Sequence, residues 1–507
     1  MATELSTALA DRIQEAIGEN VYLCYQCVKC TSGCPLAEHF DLAPNQVLRA
    51  AQLGMEDRLF ESRTPWLCAS CQTCTTRCPQ GIDVARVMDF LVSEGMKRGA
   101  KPKVPEIALF HKVFLRDVNI LGRSYELGLI AEMNLRTGHP FKDLDMGLEM
   151  LRRGKVRIVP EFVRRRRPRA DPPAAPRPER EIGYFPGCSL HSMAAEFDRS
   201  TRAVLEALDL TPVEPEGWVC CGSTPAHRVD ERQAVRLPLQ SLLLLQQEGL
   251  DEVTLPCAAC FNRFRSAARE LRRDDVLKQE LEAELGAEFQ DGISVLSLLD
   301  LLEDRVGLEG ISNRVRKPLA GLKVACYYGC LLTRPPAVTG STEAEYPMAM
   351  DRLMRSLGAE PVMWDAKVSC CGASLALTET EIVLAMSRAI LENARARGAD
   401  LVAVACPLCH SNLDGRQMQM DTESPLPVLY FTQLMALAFD MKGNAALERN
   451  LVDPRPEVSC ERPAGRHRSR RHGPGRTGVP GLPDVRRPAL RRHGTHLRRD
   501  PARGRAQ

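Results

Sequence analysis

The sequence has no apolar run approaching the roughly eighteen residues that a membrane span requires. "SLLLLQQ", among its most apolar stretches, is far too short. The first twenty residues, "MATELSTALADRIQEAIGEN", lack the basic flank and apolar core of a secretory signal and read instead as an amphipathic helix carrying Asp11, Glu15 and Glu19. These two absences predict a cytoplasmic protein with no direct membrane span, for which any membrane association would run through a partner. A glycine-rich flavin or nicotinamide fingerprint is missing too, so the chain is not expected to carry a nucleotide cofactor of its own. After Glu461 there is no lysine and no aromatic residue; fourteen arginines and two acids give this end a charge of +12 and leave −9 for the rest of the chain. With no aromatic and no hydrophobic period, residues 456–507 read as a disordered arginine-rich tail rather than a nucleic-acid arm.

What is present in abundance is sulfur. Twenty cysteines stand in 507 residues that are 44% hydrophobic, enough for two to four globular domains. In a cytosolic chain, cysteines bunched in twos and threes are not a disulfide framework; they read as metal ligands. All but Cys460 fall into four groups.

The first two groups are near copies. "CYQCVKCTSGCP", Cys24 to Pro35, recurs as "CASCQTCTTRCP", Cys68 to Pro79. The spacing C-x2-C-x2-C-x3-C-P is that of a two-cluster ferredoxin, in which three neighbouring thiolates grip one 4Fe-4S cubane and the fourth reaches across to the other. Cys24, Cys27, Cys30 and Cys78 are therefore expected to hold one cubane, and Cys68, Cys71, Cys74 and Cys34 the other. A pair of structural zinc sites is the alternative, but zinc takes two ligands from each of two knuckles and would leave one cysteine of each run unused.

Around these motifs residues 1–100 form the two-cluster domain, with helices at "APNQVLRAAQLGM" and "DVARVMDFLVSEGM". Apolar spacing in "EIALFHKVFLRDV" and "SYELGLIAEMNL" makes 101–160 a helical extension. Proline and like charge in "RRRRPRADPPAAPRPERE" make 161–181 a linker.

Beyond the linker the chain repeats itself. "IGYFPGCSL", "WVCCGST" and "VTLPCAACFNRF" are answered by "VACYYGCLL", "VSCCGAS" and "VAVACPLCHSNL". The gap from Cys188 to Cys220 is 31 residues and that from Cys221 to Cys257 is 35; the matching gaps after Cys330 and Cys371 are 39 and 34. Each repeat alternates short β-rich runs with helical stretches, which predicts parallel sheets with the cysteines just past the carboxyl ends of strands, where such sheets bind ligands. The repeats span 182–310 and 320–455. Adjacent cysteines such as Cys220 and Cys221 diverge from neighbouring Cα atoms and suit a cluster with separated irons. Gly222 and Gly372 are expected to let backbone pass close to inorganic sulfur. Cys326 reads as a buried small hydrophobe, and His191 and His410 either donate to sulfur or are merely packed.

These motifs resemble the paired CCG domains of the B-type protein of heterodisulfide reductase. The ferredoxin motifs, with "LGRSYELGLIAEMNLRTG" and "GLEMLRRGK", resemble its C-type protein, so the chain looks like a fused C-type and B-type protein similar to the D subunit. The resemblance implies an α+β multidomain fold, an α-helical ferredoxin-like domain followed by two duplicated α/β CCG domains. It also implies a non-cubane 4Fe-4S cluster in each repeat, one held by Cys188, Cys220, Cys221, Cys257 and Cys260 and one by Cys330, Cys370, Cys371, Cys406 and Cys409. The implied activity is reductive cleavage, or formation, of a disulfide such as that of coenzyme M and coenzyme B, with electrons arriving through the cubanes from an A-type flavoprotein or a membrane cytochrome subunit. Iron–sulfur subunits of glycolate, lactate and glycerol-phosphate dehydrogenases also look similar, so a non-catalytic electron-transfer subunit is the alternative. Two features depart from the family pattern: the linker, which is expected to separate the halves more than a compact fusion would, and the arginine tail.

Overall fold

Short apolar runs that end in cysteine-bearing loops become the strands, and every pairing is parallel. The computed structural model describes residues 8–163, 168, 177–420 and 424–458, all in the unit Met1–Ser459. β1 (Glu181–Tyr184), β2 (Thr211–Val213), β3 (Glu252–Leu255) and β4 (Ser294–Ser297) form one sheet in the order β2-β1-β3-β4. β5 (Lys323–Tyr327), β6 (Glu360–Pro361), β7 (Leu401–Val404) and β8 (Val428–Tyr430) repeat it as β6-β5-β7-β8. Gly183 lies opposite Val253 in the first sheet and Val324 opposite Leu401 in the second, so the two central pairs are equivalent. β7 is buried along its whole length, as a strand covered on both faces must be. The edge strands β2 and β6 contain Pro212 and Pro361, tolerated there because an edge can spare the N–H, and too proline-marked and short to stand out in the sequence.

The strand order reverses between β1 and β3, and again between β5 and β7. Such a switch point opens a crevice at the carboxyl ends of the central strands. Cys188 and Cys257 follow β1 and β3; Cys330 and Cys406 follow β5 and β7. The duplicated topology therefore sets two thiol-bearing crevices.

The repeats share one core. Phe197 stacks on Tyr430 with centroids 4.1 Å apart and planes at 5°, and the hydroxyls of Ser200 and Thr432 are 2.7 Å apart. Inside the second repeat, Lys367 and Asp351 form an ion pair of 2.6 Å with both side chains fully buried, and the Tyr328 hydroxyl donates to the same carboxylate at 2.8 Å. Lys367→Met would strand the carboxylate and is expected to cost about 3–5 kcal/mol, whereas adding Asp351→Leu recovers most of it. Urea unfolding of the single and double variants reads this directly.

The N-terminal half is helical, including Pro44–Gln52, Val84–Lys97, Pro105–Leu121, Glu126–Arg136 and Leu144–Arg152, in line with its apolar periodicity. It does not stand apart from the sheets, contrary to the expectation raised by the linker. The Ser223–Val229 helix of the first repeat packs against both Val84–Lys97 and Pro105–Leu121. Arg228 on it is buried and donates to the carbonyls of Pro65 and Cys68 while pairing with Asp89 at 3.1 Å. Charged groups facing across this junction bind the halves whatever the linker does. Most of the linker and nearly all of the tail lie outside the described residues, and among those described no helix is long and apolar enough to cross a membrane.

Candidate metal centres and the cavity between them

The two ferredoxin-type loops share an unusual backbone. Gln26 and Val28 have φ of 63° and 66°, and the matching Ser70 and Gln72 have φ of 48° and 60°. A non-glycine residue in the left-handed region costs about 1–2 kcal/mol, so four such residues at corresponding positions show that both loops are wound to turn successive thiols inward rather than to satisfy themselves. Burial and then the neighbouring Cys71 push the Cys34 thiol up to about 12, with Cys68 also beside it. Burial, then Cys68, Cys71 and Cys34, raises Cys74. These four thiols are thus one group. Tyr25 is raised by desolvation and by Cys27, Cys78 and Cys24, which brings Cys78 to the other loop. The crossed arrangement of the fourth cysteines is the one a pair of cubanes requires.

The CCG thiols form a second, longer series. Cys220 is in hydrogen-bond contact with Cys188 and Cys221, Cys221 with Cys260, and Cys260 with Cys257. In the second repeat Cys406 contacts Cys409, whose Sγ is 3.4 Å from that of Cys371, while Cys370 contacts Cys330. Two links join the groups. Cys257 touches Cys406, so the sets of the two repeats meet. Cys370 touches Cys71, and that bond, working against burial, draws the Cys71 thiol down to about 6. The dicluster domain therefore meets the second repeat's set through a sulfur–sulfur contact.

The glycines that guard these sets are not those expected. Gly222 and Gly372 have φ of +82° and +75°, but a Cβ there would meet Ala226 Cβ at 2.5 Å and Met386 Sδ at 3.1 Å, so they serve the turn and the packing behind it rather than an approach to inorganic sulfur. Gly187 and Gly329 are the ones set against cysteine: each has φ of +72°, and a Cβ would lie 2.8 Å from Cys260 Sγ or 3.1 Å from Cys409 Sγ. Gly187→Ala is expected to displace Cys260 and lower iron retention at the first CCG set by about 10- to 100-fold, the usual scale for disturbing a ligand's support. Iron analysis after dialysis against a chelator reads the effect.

The three residues with open readings are packed. Cys326 is wholly buried on β5 and points toward the Asp351–Lys367 pair. His410 stacks on Tyr430 with its Nε2 3.0 Å from the Val428 carbonyl oxygen, and burial pushes it down to about 3. His191 lies 2.9 Å from Glu214 and edge-on to Trp218.

Between the two CCG sets lies a cavity of about 240 Å³ whose wall includes Cys188, Cys220, Cys221, Cys257 and Cys260 together with Cys330, Cys370, Cys371, Cys406 and Cys409. Its other wall is apolar and comes from the helical extension: Phe110 and Phe114, Leu129 and Ile130, Met146 and Met150. The polar groups on it were not singled out from the sequence. Glu126, pushed up to about 7 by burial, accepts a hydrogen bond from Ser192 Oγ at 2.5 Å. His227 sits 2.7 Å from Asp89 through Nδ1, and Arg263 carries its guanidinium into the wall with a bond of 2.6 Å to Asn262 Oδ1. The histidine does not recur in the second half: the position six after the CCG cysteine pair is His227 in the first repeat and Leu377 in the second. That asymmetry was the available signal.

The donor sets fit iron–sulfur clusters on this structure's own terms: thiols only, grouped, with Cys27 alone exposed and all but Cys188 and Cys330 of the CCG ligands buried, and with glycine where a side chain would intrude. Comparison with known proteins agrees. Residues 23–83 match the 4Fe-4S dicluster domain family, and 182–265 and 324–414 match the cysteine-rich domain family. The 8-methylmenaquinol:fumarate reductase membrane anchor subunit of Wolinella succinogenes is 30% identical over 283 residues, covering 54% of this chain and 98% of that protein. The B-type component of the ferredoxin/F420H2-dependent CoB-CoM heterodisulfide reductase of Methanosarcina acetivorans is 27% identical over 286 residues, covering 54% and 94%. A protein of Archaeoglobus profundus that is like the C-type component of heterodisulfide reductase is 38% identical over 97 residues, covering 19% and 49%. The fold and the thiol sets define an iron–sulfur subunit of the oxidoreductase class, with cubane 4Fe-4S clusters in its dicluster domain and non-cubane ones in its CCG domains. The chain belongs to the heterodisulfide reductase-like family, with a C-type domain fused ahead of a B-type pair of CCG domains.

Proposed function

We propose that this chain is the subunit in which a small disulfide is reductively cleaved, or formed in reverse, between the two CCG sets. The observation that carries the reading is the cavity walled by thiols of both repeats. Cys24, Cys27, Cys30 and Cys78, and Cys68, Cys71, Cys74 and Cys34, would hold the cubanes. Cys188, Cys220, Cys221, Cys257 and Cys260, and Cys330, Cys370, Cys371, Cys406 and Cys409, would hold the non-cubane clusters. When bound, these groups supply single electrons and, at the CCG sets, iron with affinity for sulfur.

Cleavage of R–S–S–R′ breaks one S–S bond, consumes two electrons and two protons and releases RSH and R′SH. The electrons come from a partner of the complex, an A-type flavoprotein or a membrane cytochrome subunit, with this chain on the cytoplasmic side. The contact of Cys71 with Cys370 supports the second repeat as the point of entry. The chain's own groups handle the protons. Glu126 holds its proton to about pH 7 at the cavity wall. A neutral His227 donates Nδ1–H to Asp89, which fixes its tautomer and leaves Nε2 as an acceptor. Arg263 offers a cation to an anionic substituent, and the apolar wall takes the rest of the substrate.

The test is EPR on the anaerobic protein before and after adding coenzyme M or coenzyme B thiol under mild oxidation. A paramagnetic signal that needs the thiol is expected; its absence with both thiols, in protein carrying its full iron, would refute the reading. A second reading, an electron-transfer subunit with no substrate of its own, draws support from the Wolinella relative, whose name refers to a quinol and fumarate and to no disulfide. It predicts full cluster reduction by the partner and no response to thiol.

A further inference from the structure

Between the second ferredoxin-type loop and the second repeat stands a buried cation to which the disulfide chemistry gives no task. Arg334, four residues after Cys330, is 2% exposed. Its Nη1 donates to Thr73 Oγ1 at 2.7 Å, in the cubane loop, and to the Val368 carbonyl at 3.1 Å, two residues before Cys370. The guanidinium thus holds both sides of the place where Cys71 meets Cys370. Thr73 Oγ1 is in turn 3.4 Å from Cys71 Sγ. With its oxygen accepting from Arg334, the threonine hydroxyl keeps its hydrogen for the sulfur. Cation, hydroxyl and ligand sulfur then form one chain in which each bond polarises the next.

Stability alone gives no reason for this arrangement. The counter-charge of Arg334 is Glu345, reached by Nη2 at 2.8 Å, but Glu345 is 41% exposed and is shared with Arg77. Arg334 Nε is buried with no hydrogen-bond partner among the described residues. A buried charge matched only by a wet one is a poor stabiliser, because water screens the attraction and does not return the desolvation cost. Arg228, which donates to the Cys68 carbonyl of the same loop, differs: it is matched at 3.1 Å by Asp89, itself buried. Arg77, Glu345 and Arg334 together carry one net positive charge, and the buried end of the trio is the cation at the junction. The duplication does not demand it either. Four residues after the first cysteine of each repeat stand Ser192 in the first and Arg334 in the second. Likewise the first ferredoxin-type loop has an exposed Lys29 where the second has Thr73, and there a neutral amide, Gln26 Nε2, donates to Cys24 Sγ at 3.2 Å. The arginine occurs in the repeat that meets the dicluster domain, and its hydroxyl partner in the loop that meets that repeat.

We propose that Arg334 is a positioning residue for electron transfer: through Thr73 it raises the reduction potential of the cubane assigned to Cys68, Cys71, Cys74 and Cys34, and it holds the Cys71 loop against the second CCG set. A thiolate-bound cubane gains one negative charge on reduction, and both a desolvated cation and a hydrogen bond to a ligand sulfur favour the more negative form. The step served moves one electron from that cubane to the second CCG set, with no bond formed or broken, and the donor of the complex replaces it. The inference rests on the assignment of these ligands and not on the disulfide. The thiol-dependent EPR signal can fail while the effect of Arg334 stands, and the reverse.

The test is an EPR-monitored redox titration of the full, anaerobically purified chain, in the parent and in Arg334→Met, Arg334→Lys and Glu345→Gln, each with its iron content measured. In Arg334→Met the reduced-to-oxidised ratio of one cubane at a fixed poise is expected to fall about tenfold, a downward shift of ~59 mV for one electron, while the other cubane stays within about twofold of the parent. Lysine keeps the charge and should restore most of the shift. Glu345→Gln removes the acid that offsets the cation, so it should move the same cubane the opposite way, and by less, because water already screens that carboxylate. Should Arg334→Met fail to retain iron, Glu345→Gln decides: an upward shift supports the proposal and no shift overturns it. Lower stability in urea with both cubane potentials unchanged would overturn it by leaving Arg334 a structural clamp. An equal shift of both cubanes, or one that lysine does not reduce, would overturn it as well.

Discussion

Replacing Arg228 with methionine is expected to destabilise the chain by about 3–5 kcal/mol and to loosen the dicluster half from the CCG half. Arg228 is 1% exposed and does three things at once: it pairs with Asp89 at 3.1 Å and donates to the carbonyls of Pro65 and Cys68. Methionine fills the volume but leaves Asp89 without its cation, though still hydrogen-bonded by His227 and Ser70, and the carbonyls of Pro65 and Cys68 without this donor, and buried groups that lose a partner carry a desolvation penalty. Because the Cys68 carbonyl belongs to a loop already wound through left-handed Ser70 and Gln72, the loss also falls on a cluster ligand. Denaturant unfolding followed by cluster absorbance measures it. A change under about 1 kcal/mol would mean that the junction is held by the apolar contacts alone.

The second large effect is an asymmetry. Cys409→Ala and Cys260→Ala each remove one thiol from a CCG set, and each is expected to lower iron affinity at that set about 10- to 100-fold, so that purified protein loses roughly four irons. Their consequences for electron flow differ. The second repeat's set touches the dicluster domain through Cys370 and Cys71, whereas the first meets the second through Cys257 and Cys406. Loss of the second set should therefore leave the first unreduced by an external donor on the seconds timescale, while loss of the first leaves the second reducible at the parent rate. Freeze-quench EPR separates the two. Equal reduction of the remaining set in both variants would contradict entry through the second repeat.

The thiol positions are legible in the sequence because ligand geometry is written locally: the x2-x2-x3 spacing and the CCG pairs each sit within one loop. Duplication and β–α alternation likewise make the parallel sheets readable, and the reversal between β1 and β3 follows from it once the order is seen. The edge strands β2 and β6 escape notice since their prolines speak against a strand, and only a neighbour on one side makes them one. The cavity escapes for a different reason. Glu126, His227 and Arg263 come from three separate elements and have no periodic or motif signal, so their meeting is a property of packing. Gly187 and Gly329 were hidden beside the more conspicuous CCG glycines, although "PGC" and "YGC" occupy the same place in each repeat. The linker misled because composition reports how a segment solvates, not whether the domains at its ends attract each other.

The central claim is that four thiol sets carry four clusters around one shared cavity. Iron and acid-labile sulfide analysis of the anaerobically purified chain tests it most directly. The account predicts about sixteen irons per chain, in two cubane and two non-cubane 4Fe-4S clusters; about eight, with both CCG sets empty of iron, would contradict it.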